Sequence, residues 1–295
     1  CGSGMRATMD GLSKIYSGES ELLIVGGQES MSRARHTYLS RTGENKLGNN
    51  VFIDTLVNDG LTDAFSKEHM GITAENVSRR YTVTRQDQDH FAFQSYLKTY
   101  KAIKNNYFKN ELIKSPYKDE VRKDTTLVKL AQLKTVFKKS GTVTAGNASS
   151  LNDGASFIAL ASENYINSNK IKPIAKILSW ASSAGNPDYM GVTPITAIQK
   201  LMKKMGVNIG YFDLVEINEA FAATSVAVQR SLKIDPNKLN IAGGAIALGH
   251  PIGCSGARIV TTLAHQLRRT KQKIGVASMC IGGGQGLAIA IEKLN

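Results

Sequence analysis

The residues most able to do chemistry in this sequence are two cysteines, one histidine and one asparagine, each beside a glycine-rich turn. His250 sits in residues 243–253, Gly-Gly-Ala-Ile-Ala-Leu-Gly-His-Pro-Ile-Gly, between a glycine and a proline. Glycines this dense let a backbone turn sharply and approach a bound group closely. An apolar helix pattern follows from Ser255, so the loop is expected to deliver His250 to a helix N-terminus, where free N–H groups favour negative charge. Cys1 precedes Gly2-Ser3-Gly4, and Met5, Met9, Leu12 and Ile15 then recur at helical spacing. That places Cys1 at a second helix start, which favours its thiolate. Cys280 opens the turn Cys-Ile-Gly-Gly-Gly at 280–284, whose amides could hold an oxyanion. A thiol nucleophile, a base and oxyanion donors are the parts of covalent acyl chemistry, and a second thiol could serve as acid or base toward carbon. Asn218 falls where a strand ends and a helix begins, which suits a ligand or catalytic position as well as a helix cap. Cys254 lies on an apolar helix face and reads as packing.

These groups need a frame that alternates helices and strands. The chain of 295 residues is long enough for two domains, and its 42% apolar content with 27 glycines suits an α/β protein. Residues 22–25 read as a buried parallel strand ended by Gly26-Gly27, and residues 155–161 and 174–181 read as further strands. Residues 193–205 form an amphipathic helix, and residues 212–217 a strand running into Asn218. A helix over 255–269, a strand over 274–279 and a closing strand over 287–291 complete the pattern.

Sliding the first segment by 252 positions lays Ser3-Gly4-Met5-Arg6 on Ser255-Gly256-Ala257-Arg258, and residues 22–27 on 274–279, without a gap. The chain is therefore expected to be two similar α/β halves packed face to face around a cleft. Between the strands of the first half lies an inserted, mainly helical segment, whose first helix follows His69-Met70-Gly71. A second glycine, serine and asparagine cluster at 141–154, containing Ser149, could line a ligand channel. The expected organisation is 1–30 with 141–168 as the first half, 31–140 as the insert, and 169–295 as the second half.

The formal charge is +13, and from Lys98 to Lys139 twelve Lys/Arg face four Asp/Glu. Such a run is a solvated helical surface or a site for a phosphate-bearing small molecule. Nucleic acid is disfavoured, because no aromatic platforms interleave the charges. No apolar run approaches a membrane span in length. Three scattered cysteines fit no metal spacing, leave one thiol over after any disulfide, and point to a reducing compartment.

Taken together, Cys-Gly-Ser-Gly-Met at 1–5, Asn-Glu-Ala-Phe at 218–221, the stretch 243–253 and Cys-Ile-Gly-Gly-Gly at 280–284 resemble the thiolase family, over essentially the whole chain. The resemblance implies a layered α/β sandwich of two duplicated halves with an inserted loop domain that carries coenzyme A. It implies that Cys1 takes the acyl group as a thioester and that His250 activates it. Asn218 would hold a water completing the oxyanion hole for the enolate, and Cys280 would move the α-proton. The amides of Cys1 and Gly282 would hold the second oxyanion. His69, Met70, Ser149, Met190 and Phe221 match positions beside the pantetheine arm or the acyl pocket. The implied reaction interconverts two acetyl-CoA with acetoacetyl-CoA and CoA, with Met190 and the His69-Met70-Gly71 stretch leaning toward short chains. Coenzyme A thioesters are substrates; no cofactor, metal, nucleic acid or membrane is called for. A homodimer or homotetramer is expected, in the cytoplasm, or in mitochondria for a eukaryotic source. Family members carry further residues ahead of this cysteine, so the sequence is expected to continue a longer chain.

Competing readings make distinct demands. A longer-chain degradative thiolase shares every motif. An N-terminal-cysteine hydrolase would use its own α-amine as base, need no histidine loop and fold as a β-sandwich. A decarboxylating condensing enzyme would pair its cysteine with two histidines.

Overall fold

The computed structural model describes residues 1–38, 47–113 and 119–294. The chain opens with α1 (Ser3–Tyr16) and β1 (Leu22–Ser30), followed by the short strands β2 (His36–Thr37) and β3 (Ile53–Asp54). The helices α2 (Met70–Arg80), α3 (Arg85–Lys104) and α4 (Leu127–Ala131) come next, then β4 (Asp153–Ala161), α5 (Glu163–Ser168) and β5 (Ala175–Ala184). The remainder is α6 (Thr193–Met205), β6 (Leu214–Ile217), α7 (Ala222–Leu232), α8 (Ala245–Leu248), α9 (Ile252–Thr270), β7 (Ile274–Ile281) and β8 (Gln285–Lys293).

The helix boundaries follow local chemistry. Thr84 caps α3 by accepting from Asp87 N–H, while the Asp87 carboxylate takes Thr84 N–H, a reciprocal box that closes two free donors. Gly206 ends α6 in the left-handed conformation, φ 69°, which a residue without Cβ adopts at no steric cost. The helix expected over 193–205 is found as read, and the strands expected over 274–279 and 287–291 extend to Ile274–Ile281 and Gln285–Lys293, which puts Cys280 at the end of a strand. The helix expected from Ser255 begins one turn earlier, at Ile252.

The second half is a four-stranded sheet in the order β5-β8-β7-β6, with only β6 and β7 parallel. The first half shows β1 and β4 paired antiparallel from Leu22↔Ala161 to Ser30↔Asp153. This corrects the expectation of a buried parallel strand at 22–25, and the strand runs on through Gly26-Gly27 to Ser30. β1 is answered by a strand that returns along it, and its burial alternates. Leu23 and Val25 face the helices, while Leu22 and Ile24 are exposed, Ile24 at 76%. The strand at 155–161 likewise alternates rather than being buried throughout. A continuous apolar run does not distinguish one covered face from two.

α1 and α9 lie side by side between the two sheets. Their crossing is tight because glycines meet backbone. A Cβ on Gly4 would stand 2.8 Å from Ala257 N, and one on Gly256 would stand 2.4 Å from Met5 N. Met5, Met9, Ile259, Leu263 and Leu267 fill the core between this pair and the larger sheet. α6 covers that sheet's other face with Ala197, Ile198 and Leu201, against Phe212, Val215 and Val276.

Candidate active site

The two central helices place their N-termini at one end of the molecule, and the site is built there. Cys1 is half-buried at the start of α1. Its neighbour Gly2 makes a close approach: a Cβ there would fall 2.3 Å from Ile281 Cδ1. The helix start thus packs against the end of β7, where Cys280 sits 2% exposed. Burial pushes the Cys280 thiol up to about 11, so it rests protonated. After it the chain turns through Gly283 and Gly284, both left-handed at φ 81° and 85°. A Cβ on Gly282 would stand 2.7 Å from Met70 Cε, so the turn lies directly against the Met70 side chain.

His250 is 6% exposed and held on three sides. Its N–H donates to Ser150 O at 3.1 Å. Its Nδ1 lies 2.5 Å from Ser255 Oγ, which itself donates to Pro251 O at 2.9 Å. The serine proton is thus committed, so the serine oxygen accepts from Nδ1–H and leaves Nε2 with the lone pair. Burial holds the imidazole well below its usual value, so the ring is neutral at ordinary pH. Asn218 Nδ2 approaches Nε2 to 3.2 Å. Asn218 directly follows β6, with its N–H on Ser278 O at 3.1 Å, and its Oδ1 is enclosed with no protein partner. It is not the cap of α7, whose cap position is Phe221.

Cys1, His250, Cys280 and Gly282 line one cavity of about 880 Å³, together with His69, Met70, Ser149, Met190 and Phe221. Asn218 reaches that cavity through His250 rather than lining it. His69 caps α2, its Nδ1 accepting Gly71 N–H at 3.0 Å, and stacks on Phe137 with ring centroids 4.6 Å apart. Burial lowers the pKa of His69. Met70, Met190, Phe221 and Cys280 form one apolar cluster, closed by Phe137 edge-on to Phe221 at 6.2 Å. Ser149 is set by its N–H on Ala220 O at 3.0 Å.

Sequence reading missed Phe137 and Ser255. Phe137 stands among lysines with no periodic pattern, so nothing local marks it. Ser255 follows the histidine loop by one helical turn, a spacing that could have flagged it as the imidazole's support. Among the described residues of the basic run at 98–139, Arg122 is the cation found at the cavity. Lys98 turns instead to the carbonyls of Pro236 and Leu239, at 3.3 and 2.8 Å.

With this geometry in place, comparison is direct. Models of the thiolase N-terminal and C-terminal domains match residues 1–164 and 171–293. The chain belongs to the thiolase family. It is 45% identical to the acetyl-CoA acetyltransferase of Rhizobium meliloti (strain 1021) over 305 residues, covering 100% of this chain and 77% of that protein. It is 46% identical to the acetyl-CoA acetyltransferase of Shinella zoogloeoides, covering 100% and 78%. Among solved structures, the Bacillus anthracis acetyl-CoA acetyltransferase superposes with a TM-score of 0.95 at 40% identity, over 100% of this chain and 77% of that one. Human mitochondrial 3-ketoacyl-CoA thiolase, in complex with CoA, gives 0.96 at 41%, over 100% and 76%. The thiolase fold expected from the motifs is therefore the fold found, and the β-sandwich of an N-terminal hydrolase is not.

Proposed function

We propose that this thiolase interconverts two acetyl-CoA with acetoacetyl-CoA and CoA through an acyl thioester on Cys1. The observation that carries the reading is the convergence of two sulfurs, a neutral imidazole and a glycine turn on one cavity. In this reading His250 Nε2 takes the Cys1 proton as the thiolate attacks the substrate carbonyl. The amides of Cys1 and Gly282 hold the resulting oxyanion, and CoA leaves. Cys280 then takes the α-proton of a second acetyl-CoA, whose enolate oxygen is held by His250 and a water held by Asn218. The enolate carbon attacks the thioester and releases Cys1. A resting Cys280 at about 11 fits this order, because it can protonate the departing CoA thiolate and so become a strong base.

Coenzyme A thioesters are the ligands we assign to the cavity, with His69, Ser149 and the insert beside the pantetheine arm. Met70, Met190 and Phe221 stand beside the acyl group. The organisation into 1–30 with 141–168, 31–140 and 169–295 belongs to the same proposal. It is supported by the end of β1 at Ser30 and the resumption at β4. The aromatic and methionine wall at Cys280 favours a short acyl group over a long one.

The test is release of acetyl-CoA from acetoacetyl-CoA and from a longer 3-ketoacyl-CoA, by the unaltered protein and by Cys1→Ser. Thiolysis of the short substrate, abolished by the substitution, is the expected result. Activity that survives Cys1→Ser would end the covalent mechanism, and preference for the longer substrate would move the protein to degradative thiolysis.

A further inference from the structure

Glu219 has no role in the mechanism above, yet it is buried to 1% exposure directly after Asn218. Among the described residues no Lys or Arg nitrogen lies within ion-pair distance of its carboxylate. Three donors meet it instead. Ser95 Oγ donates to Oε2 at 2.6 Å, Asn240 Nδ2 to Oε1 at 2.7 Å, and Ile246 N–H to Oε2 at 3.2 Å. Each comes from a different part of the chain: α3 of the insert, the turn after α7, and α8 in the histidine loop.

The contacts continue outward. Ser95 Oγ also accepts Gly244 N–H at 3.2 Å. Asn240 exchanges both amide atoms with the backbone of Ile217, at 2.8 and 2.9 Å, and is held at φ 44°, in the left-handed region. A Cβ on Gly244 would fall 2.3 Å from the carboxylate carbon, so glycine is required for the loop to close on it. Asn218 and His250 arrive on separate segments and meet at 3.2 Å; the carboxylate joins the ends of both segments to the insert.

We propose that Glu219 is a positioning residue that sets the Asn218–His250 spacing, and with it the enolate oxyanion site. This rests on the thiolase reading. All three partners donate, so an amide in place of the carboxylate turns its NH₂ toward a donor in either orientation and loses at least one bond. The displacement falls on the carbon–carbon step, where Asn218 and its water act. Transfer of the acyl group between CoA and Cys1 relies on the Cys1 and Gly282 amides and feels the change only through His250.

The experiment measures acetoacetyl-CoA thiolysis and the exchange of labelled CoA into acetyl-CoA for the unaltered protein, Glu219→Gln and Ser95→Ala. Rates are expressed per Cys1 thiol titrated with iodoacetamide, so that unfolded chains do not count. For Glu219→Gln, thiolysis kcat is expected to fall about 10²-fold, the order of loss for a misplaced reacting geometry. KM for acetoacetyl-CoA should stay within about twofold, as for an interaction felt in the transition state alone. CoA exchange should fall less than thiolysis. Ser95→Ala should shift thiolysis the same way by about fivefold, a single hydrogen bond's worth. Unchanged thiolysis per titrated site in both variants, or equal losses in thiolysis and exchange, would overturn the proposal. Absence of thiolysis in the unaltered protein would overturn the thiolase reading instead.

Discussion

The unit α1–β1–β4 and the unit α9–β7–β8 are two copies of one plan, and their differences show where the chemistry lives. Both run helix, strand, antiparallel strand, and both helices cross through a glycine on the partner's backbone. Each copy presents a different reactive group near its helix start: Cys1 ahead of α1, His250 ahead of α9. The position equivalent to Cys280 at the end of β7 is Gln28 in β1, and the equivalent of half-buried Arg258 is Arg6, exposed and paired with Asp10. The second copy turns from β7 to β8 through three residues, whereas the first leaves β1 and returns to β4 only after residues 31–152. One frame is thus used twice, and in the proposed mechanism it carries the acyl group once and the proton chemistry once.

The largest effect that tests this division is at Cys1. Cys1→Ser should lower thiolysis by about 10³-fold or more, as loss of a covalent nucleophile does, with the circular dichroism spectrum unchanged. Activity near the unaltered level would remove the acyl role from the first copy. Next comes the crossing of the two helices. Gly256→Ala places a Cβ against Met5 N and should cost about 2 kcal/mol, within the range for overpacking, read from urea denaturation. Gly4→Ala, with a longer approach, should cost less, and the reverse order would break the picture of a crossing tightest at Gly256.

The serines of the two copies sharpen the contrast. Ser255→Ala removes the group that fixes the His250 tautomer, and should lower kcat roughly tenfold, the equivalent of one hydrogen bond. Its counterpart Ser3→Ala, on an exposed position, should leave kcat unchanged. Equal effects would mean that Ser255 serves the helix and not the imidazole.

The last test is a pH slope set in β6, the strand parallel to β7 of the second copy. Burial raises Glu216 to about 8, partly offset by Arg258, from an ordinary 4.5. Between those values the folded chain keeps a proton that the unfolded chain has released, so stability falls as pH rises through that window. Glu216→Gln should flatten the fall by about 3 kcal/mol between pH 5.5 and 8, measured by denaturation at each pH. An unchanged slope would show that Glu216 stays ionised.

Much of this was legible in the residues themselves. α6 was readable to the residue, because Thr-Pro at its start, a clear apolar stripe and Gly206 after it are all local signals. The cavity was legible through Cys1, His250 and Cys280, since each stands in a turn whose glycines make sense only if something approaches closely. Phe137 was not legible, because its place beside His69 and Phe221 comes from the folding of the insert and leaves no periodic trace. The partner of β1 was not legible either, because a strand's pairing is decided far along the chain, while its composition speaks only of the neighbours it covers. Glu219 was visible as part of a motif, but its three donors lie up to 124 positions away in sequence.

The separation of β1 from β4 has a consequence for how such a protein can change. Closing a long loop costs only about 0.6 kcal/mol more for each doubling of its length. The strand pair from Leu22↔Ala161 to Ser30↔Asp153 therefore tolerates lengthening or rebuilding of what lies between, while the reacting sulfurs and imidazole stay on their crossed helices and strand end. New substrate tails can be accommodated by altering the excursion, without disturbing the frame that breaks and makes the bond.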